Sequence, residues 1–169
     1  MNDEQRRIRS YLQAQGAKLT PAELVEKVQL AMRDLRAAAA RVPADRFGQR
    51  PGADDWSANE VLAHVVAAGY YFSGAIVALA SGAPVPAAMR DRGVEGAPPR
   101  TAEEWLEDLE RDRAALFARV LTADPAAHLD TTVEHPFFGP LTWREAFLFM
   151  RLHDLDHAGQ LKQIATALT

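Results

Sequence analysis

The chain has 169 residues, of which 48% are apolar and 25% are charged, a balance that is typical of a globular protein with one buried core. Its net charge of −4 argues against nucleic acid as a partner, because nucleic-acid binding usually requires a basic face. The absence of cysteine excludes disulfides, a thiolate nucleophile and any metal site with cysteine ligands. We therefore expect a single domain over residues 1–169, in which histidines and carboxylates would have to bind any metal.

The N-terminus predicts neither a signal peptide nor a membrane anchor. After Met1, residues 2–7 are polar, and no apolar run follows them. Polar residues interrupt the apolar stretches of the chain before a membrane-spanning length of about 18 residues. We therefore expect a soluble, cytoplasmic protein without a membrane partner.

The helices can be predicted in chain order from their start signals. A short amphipathic helix is expected over residues 3–15, with Gly16 as its stop. Four copies of the capping-box pattern S/T-x-x-E then begin at Thr20, Ser57, Thr101 and Thr142. Each is followed by apolar residues at helical spacing, which predicts helices over 20–42, 57–81, 101–122 and 142–167.

The connections between these helices contain the glycines and prolines. The longest, 82–100, predicts a crossover loop, and a short extended piece is possible around residues 129–133. Four long helices without a convincing strand pattern indicate an all-α protein, a four-helix bundle with an additional N-terminal helix. A crossover at 82–100 would allow up-down-down-up connectivity.

Three histidines are the candidate metal ligands. His153 and His157 are four residues apart in one predicted helix and therefore project from the same face. His64 lies on the largely apolar face of an earlier helix, so a bundle could bring all three together. Three histidine nitrogens form a site that leaves a coordination position for water or substrate. The alternative is a metal-free bundle in which each imidazole has ordinary hydrogen-bond partners.

Other polar and aromatic residues have weaker claims to a role. Glu60 could be a ligand or a base, but closing the capping box with Ser57 is the preferred interpretation. Asp154 and Asp156 are expected to be solvated, with Asp156 a candidate to support a ligand. His128 and His135 are expected in surface loops, with His135 as a possible pocket residue. The remaining candidates are Gln160 to orient a ligand, Trp56 as a loop anchor, and Tyr70, Tyr71 and Arg151 as possible pocket residues.

Three sequence blocks together resemble a known family. They are W-S-x-x-E-x-x-x-H over 56–64, H-P-F-F-G-P-L-T over 135–142 and H-x-x-x-H-x-x-Q over 153–160. In this order they resemble the DinB-like superfamily of small bacterial proteins. The resemblance implies a four-helix bundle with a divalent metal bound by His64, His153 and His157, in a protein that is often a homodimer.

The resemblance also implies the range of possible functions. Relatives include bacillithiol S-transferases, mycothiol-dependent maleylpyruvate isomerases and damage-inducible stress proteins without an assigned reaction. We therefore expect a thiol-dependent S-transferase that acts on a small-molecule electrophile, with a divalent metal ion (Zn, Ni, Fe or Mn) and a low-molecular-weight thiol as cosubstrate. The alternatives are a metal-dependent hydrolase and a non-catalytic metal-binding bundle.

Other helical metal proteins fit the sequence less well. Ferritin-like di-iron sites need paired Glu-x-x-His motifs, which the chain lacks. The pair His153-Asp154 is similar to the core of HD-type phosphohydrolases, but too few residues follow it for the remaining helix of that fold. Hemerythrin-like carriers need more than three inward ligands, and a zincin needs H-E-x-x-H.

Overall fold

A computed structural model describes residues 1–85, 94 and 96–169. Within them the chain forms five α-helices, one short 3-10 helix (Ala44–Arg46) and a two-stranded hairpin, which confirms the predicted all-α fold. The helices are α1 (Asp3–Lys18), α2 (Pro21–Ala39), α3 (Ala58–Ala80), α4 (Ala102–Thr122) and α5 (Trp143–Leu168), and the strands are β1 (Val133–His135) and β2 (Gly139–Leu141).

All four predicted capping boxes are present. At the start of each of α2 to α5, the hydroxyl of the cap residue accepts a hydrogen bond from a backbone N–H, and the glutamate three residues later accepts one from the cap residue. α1 has a fifth box, formed by Asn2 and Gln5, which the S/T-x-x-E pattern does not include. Because these contacts are local, they place the helix starts within one residue of the predictions.

The predicted end of α1 at Gly16 is wrong. The helix continues to Lys18 and is capped at Leu19. Gly16 is buried against α5, where a Cβ would lie 3.2 Å from Cγ of Glu145. Its carbonyl accepts a hydrogen bond from Nε of Arg144 at 2.6 Å. The glycine therefore allows close helix packing rather than ending the helix.

Contacts between helices α3 and α4 show that they run in the same direction. Near their N-termini, Trp105 Nε1 donates to Asn59 Oδ1 at 2.9 Å, and further along Ser73 Oγ donates to Asp112 Oδ2 at 2.5 Å. Two parallel neighbours need a connection that returns along the bundle, as predicted for the loop 82–100. Residues 86–93 and 95 of that loop lie outside the described part of the chain.

The other two bundle helices run opposite to this pair. His64 of α3 meets His153 of α5. Phe72, further along α3, meets Phe149, which lies earlier in α5, so the two helices are antiparallel. Arg36 near the end of α2 pairs with Glu103 at the start of α4, so α2 and α4 are antiparallel as well. The order α2, α3, α4, α5 is therefore up, down, down, up. α1 packs outside the bundle against α5.

The hairpin lies before α5. Val133 pairs with Leu141 and His135 with Gly139 in an antiparallel register. The predicted extended piece at 129–133 overlaps this hairpin only at Val133, because residues 125–130 form turns instead.

The buried apolar side chains form two clusters, one at each end of the bundle. The larger contains Leu12, Leu116, Trp143 and Phe147, and the smaller contains Leu35, Val61, Leu109 and Leu161. The histidines of α5 lie on the length of helix between the two clusters, which places the candidate site at mid-bundle.

The sequence was expected to contain no stretch long and apolar enough to span a membrane, but α3 meets these criteria. By length and composition, Ala58–Ala80 could do so, and it alone among the described helices. Just over half of its most apolar window is buried in the bundle, as expected for a core helix. The cytoplasmic location stays a prediction.

Candidate metal centre

The structure brings the three predicted histidines together. His64 projects from α3, and His153 and His157 project from one face of α5. One ring nitrogen from each lies within 4.8 Å of the others. Nε2 of His64 and Nε2 of His153 are 3.1 Å apart, and the ring of His157 is centred 4.9 Å from that of His64.

The environment of His157 favours the neutral imidazole. Its Nδ1 lies 2.9 Å from Oε1 of Gln160, an oxygen that can only accept, so Nδ1 carries the proton and Nε2 has a free lone pair. Burial lowers the pKa of His157, and the nearby His153 lowers it further. Gln160 is therefore in contact with His157, and its role in orienting a ligand stays a prediction.

The donor set suits a transition-metal dication. Neutral imidazole nitrogens bind Zn, Ni and Fe well, and three of them leave a coordination position for another molecule. No carboxylate of the described residues joins the cluster. The side chain of His153 is 13% exposed, so the cluster is in contact with solvent at this ligand.

Aromatic side chains surround the three imidazoles. The ring of Trp56 is centred 5.2 Å from that of His64 and stacks 6.5 Å from that of His157. On the other side, Phe149 lies 6.0 Å from His153. Trp56 was expected only to anchor a loop. Its position, eight residues before His64 and just ahead of the Ser57 cap, turns the indole onto the site.

The expectation that His135 lies in a surface loop is wrong. His135 is 8% exposed, and its ring stacks on Phe138 at 4.7 Å and meets Phe149 edge-on at 4.4 Å. Its Nδ1 accepts a hydrogen bond from the N–H of Phe137 at 3.2 Å. Burial, followed by the charge of His153, lowers the pKa of His135 to about 4. In the sequence, the alternation of apolar Val133, charged Glu134 and His135 fits a strand with His135 on the same face as Val133, and β1 shows that burial pattern.

The carboxylates near the site have different environments. Glu60 accepts hydrogen bonds from Arg50 Nε at 3.0 Å and from the N–H of Ser57 at 2.8 Å. These hydrogen bonds, the one from Arg50 most strongly, lower the pKa of Glu60 to about 2. Its capping role is therefore confirmed, and so low a pKa makes it a weak base. Asp156 is exposed as expected. Asp154 was expected to be solvated but is completely buried, because it faces Arg113 of α4.

The recorded contacts of the remaining candidates do not connect them to the cluster. His128 is exposed in a turn, and Tyr70 is 51% exposed. Arg151 donates to the hydroxyl of Tyr11 at 3.2 Å and so ties α5 to α1. The hydroxyl of Tyr71 is buried without a hydrogen-bond partner among the described residues. These observations assign none of the four to the site.

Comparison with known proteins supports the fold and the family. The solved crystal structure of TT2238, described as a four-helix bundle protein, superimposes with a TM-score of 0.64 and 23% identity, over 85% of this chain and 99% of that one. No curated protein matches the sequence. The family model of the DinB superfamily matches residues 27–161, which contain all three histidines. This chain therefore belongs to the DinB superfamily.

Proposed function

We propose that this protein binds a divalent cation through His64, His153 and His157 and acts as a thiol-dependent S-transferase on small electrophiles. The observation that supports the proposal is the meeting of three imidazole nitrogens, from two helices, within 4.8 Å. The sequence resemblance adds to it, because the DinB-like relatives that it implies hold a metal at the corresponding histidines.

Thiol transfer needs a sulfur nucleophile that the chain itself cannot provide. With no cysteine in the sequence, the thiol must come from a low-molecular-weight cosubstrate. A divalent cation at the three histidines would act as a Lewis acid, which lowers the pKa of a thiol or of water beside it.

The side chains around the cluster have distinct parts in this proposal. The three histidines hold the cation, and Gln160 orients His157 by accepting its Nδ1–H. Trp56 limits the access of water from one side. Glu60 is not the proton acceptor, since Arg50 and Ser57 hold its carboxylate at the start of α3.

Cation binding is tested first, by titrating metal-free protein with Zn²⁺ or Ni²⁺ and by elemental analysis. Wild type is expected to bind one equivalent, and His153→Ala and His157→Ala are expected to lose it. His128→Asn removes an exposed histidine and is the matched control, because asparagine tolerates the positive φ of 57° at that position. Undiminished metal in both alanine variants would refute the site.

Affinity should also fall as the pH is lowered. Ligand nitrogens must be deprotonated to bind a cation, so binding weakens as the pH drops below about 6.5, the ordinary range of histidine. Because the pKa of His157 is lowered, this ligand stays neutral to a lower pH than a solvated histidine.

The reaction is tested with a panel of bacterial low-molecular-weight thiols and a model electrophile, with thioether formation followed by mass spectrometry. Product that requires both thiol and metal is the expected result. Turnover without thiol would instead favour a metal-dependent hydrolase. No turnover across the panel would refute the transferase and leave a metal-binding role.

A further inference from the structure

A buried ion pair joins α4 to α5 next to the histidine cluster. Nη2 of Arg113 donates to Oδ1 of Asp154 at 3.1 Å, and the two side chains are 1% and 0% exposed. Along both helices these residues lie between the two apolar clusters. The two helices face each other across the bundle, since each packs mainly against α2 and α3.

This ion pair is costly where it lies. Three of its polar atoms, Nε and Nη1 of Arg113 and Oδ2 of Asp154, are buried without a hydrogen-bond partner among the described residues. Replacing a buried ion pair by apolar side chains of similar volume is often neutral or stabilising. Stability alone therefore does not explain why the bundle holds these two charges. The residues next to the ion pair indicate a functional role for it.

The nearest candidate for that use is His153. Oδ1 of Asp154 lies 3.9 Å from Nδ1 of His153, and a shift of about 1 Å would bring the two atoms within hydrogen-bond distance. Nε2 of His153 faces Nε2 of His64 in the cluster, so Nδ1 is the outer nitrogen. An imidazole that offers Nε2 to a cation carries its proton on Nδ1 and needs an acceptor there.

His157 on the same helix already has such an acceptor. Its outer Nδ1 donates to Gln160, as described above. Asp154 would give His153 the equivalent partner, and with a carboxylate in place of an amide. A carboxylate behind a metal-bound histidine raises the basicity of the ligand and sets the orientation of the ring.

We propose that Asp154, bound by Arg113, is a positioning residue that accepts the Nδ1–H of His153 and so directs Nε2 of His153 into the cluster. The inference rests on the proposed metal site. Arg113 holds the carboxylate in place from the opposite helix, so the pair links the core of the bundle to the candidate site.

The deciding variant is the double substitution Arg113→Met/Asp154→Leu. Asp154→Leu alone would leave the buried guanidinium unpaired and could unfold the protein, whereas the double variant removes both charges together. It is expected to unfold at a denaturant concentration no lower than wild type does, yet to bind Zn²⁺ about 10- to 100-fold more weakly in competition with a chromophoric chelator. A purely structural ion pair predicts the reverse, with lost stability and unchanged affinity.

The tautomer of His153 gives a second readout that stability does not affect. In wild type, ¹⁵N NMR of the imidazoles is expected to show the proton on Nδ1 of His153, and in the double variant a shift toward Nε2–H. Asp156→Leu makes the same substitution two residues away on the exposed side of α5 and should leave this tautomer unchanged.

The outcomes separate the two proposals. A double variant with wild-type Zn²⁺ affinity and the wild-type tautomer would overturn the role of Asp154. Wild type that binds no cation would overturn the metal site itself, while the tautomer of His153 in metal-free protein would still decide whether Asp154 positions the ring.

Discussion

Acid should destabilise the protein through His135, a group outside the histidine cluster. The ring is 8% exposed among aromatic side chains, and its pKa is lowered from 6.5 to about 4. The unfolded chain therefore binds a proton between these two values that the folded protein does not. Stability rises with pH wherever the unfolded state binds more protons, so it is lost as the pH falls from about 6.5 to about 4.

The size of the effect follows from the shift. At about 1.4 kcal/mol per pKa unit, the full shift corresponds to about 3 kcal/mol of unfolding free energy. Between pH 7 and pH 5 only part of this free energy is lost. With these two pKa values, the loss through His135 over that interval should be about 2 kcal/mol. His157, whose pKa is also lowered, acts in the same direction.

Urea denaturation of chelator-treated protein at pH 7 and pH 5 measures this loss. His135→Gln removes the titrating ring but keeps an acceptor for the N–H of Phe137, and it should lose about 2 kcal/mol less than wild type over the same interval. The contribution of His157 is common to both proteins and cancels. His128→Asn controls for the loss of an exposed imidazole, because asparagine tolerates the positive φ at that position. Equal losses in wild type and His135→Gln would refute the reasoning.

Four further substitutions test the fold by the free energy of unfolding in urea. Gly82→Ala should cost about 1–3 kcal/mol, because φ is +67° and the new Cβ would lie 2.6 Å from the ring of His128. Gly74 is exposed within α3, and a Cβ there would meet nothing within 4 Å, so Gly74→Ala should raise the free energy of unfolding by about 0.5–1 kcal/mol. A gain in stability at both glycines would contradict the packing described at Gly82. Thr101→Ala removes the cap of α4 and should cost about 1 kcal/mol, and an unchanged value would mean that the box does not hold the helix start. Trp143→Phe removes a fully buried indole that donates to a loop carbonyl and should cost about 2 kcal/mol, a loss that an exposed tryptophan would not show.

The sequence alone determined the bundle helices and their order. A capping box needs only residues three apart, so Thr20, Ser57, Thr101 and Thr142 mark the helix starts without information from the rest of the chain. Helical spacing likewise places His153 and His157 on one face of α5. The length of the connection 82–100 was sufficient to predict the crossover.

Tertiary structure decided the rest, because burial depends on what packs against a residue and local spacing does not show it. The sequence pattern of α5 predicts a solvated Asp154. The carboxylate is buried instead, paired with Arg113 of the opposite helix. Gly16 is a residue type that often ends helices, but here α5 packs against it and α1 continues past it. His135 is enclosed by aromatic rings from distant parts of the chain. His64 meets His153 and His157 for the same reason. α3 and α5 are far apart in the sequence, and only their packing at mid-bundle brings these side chains together.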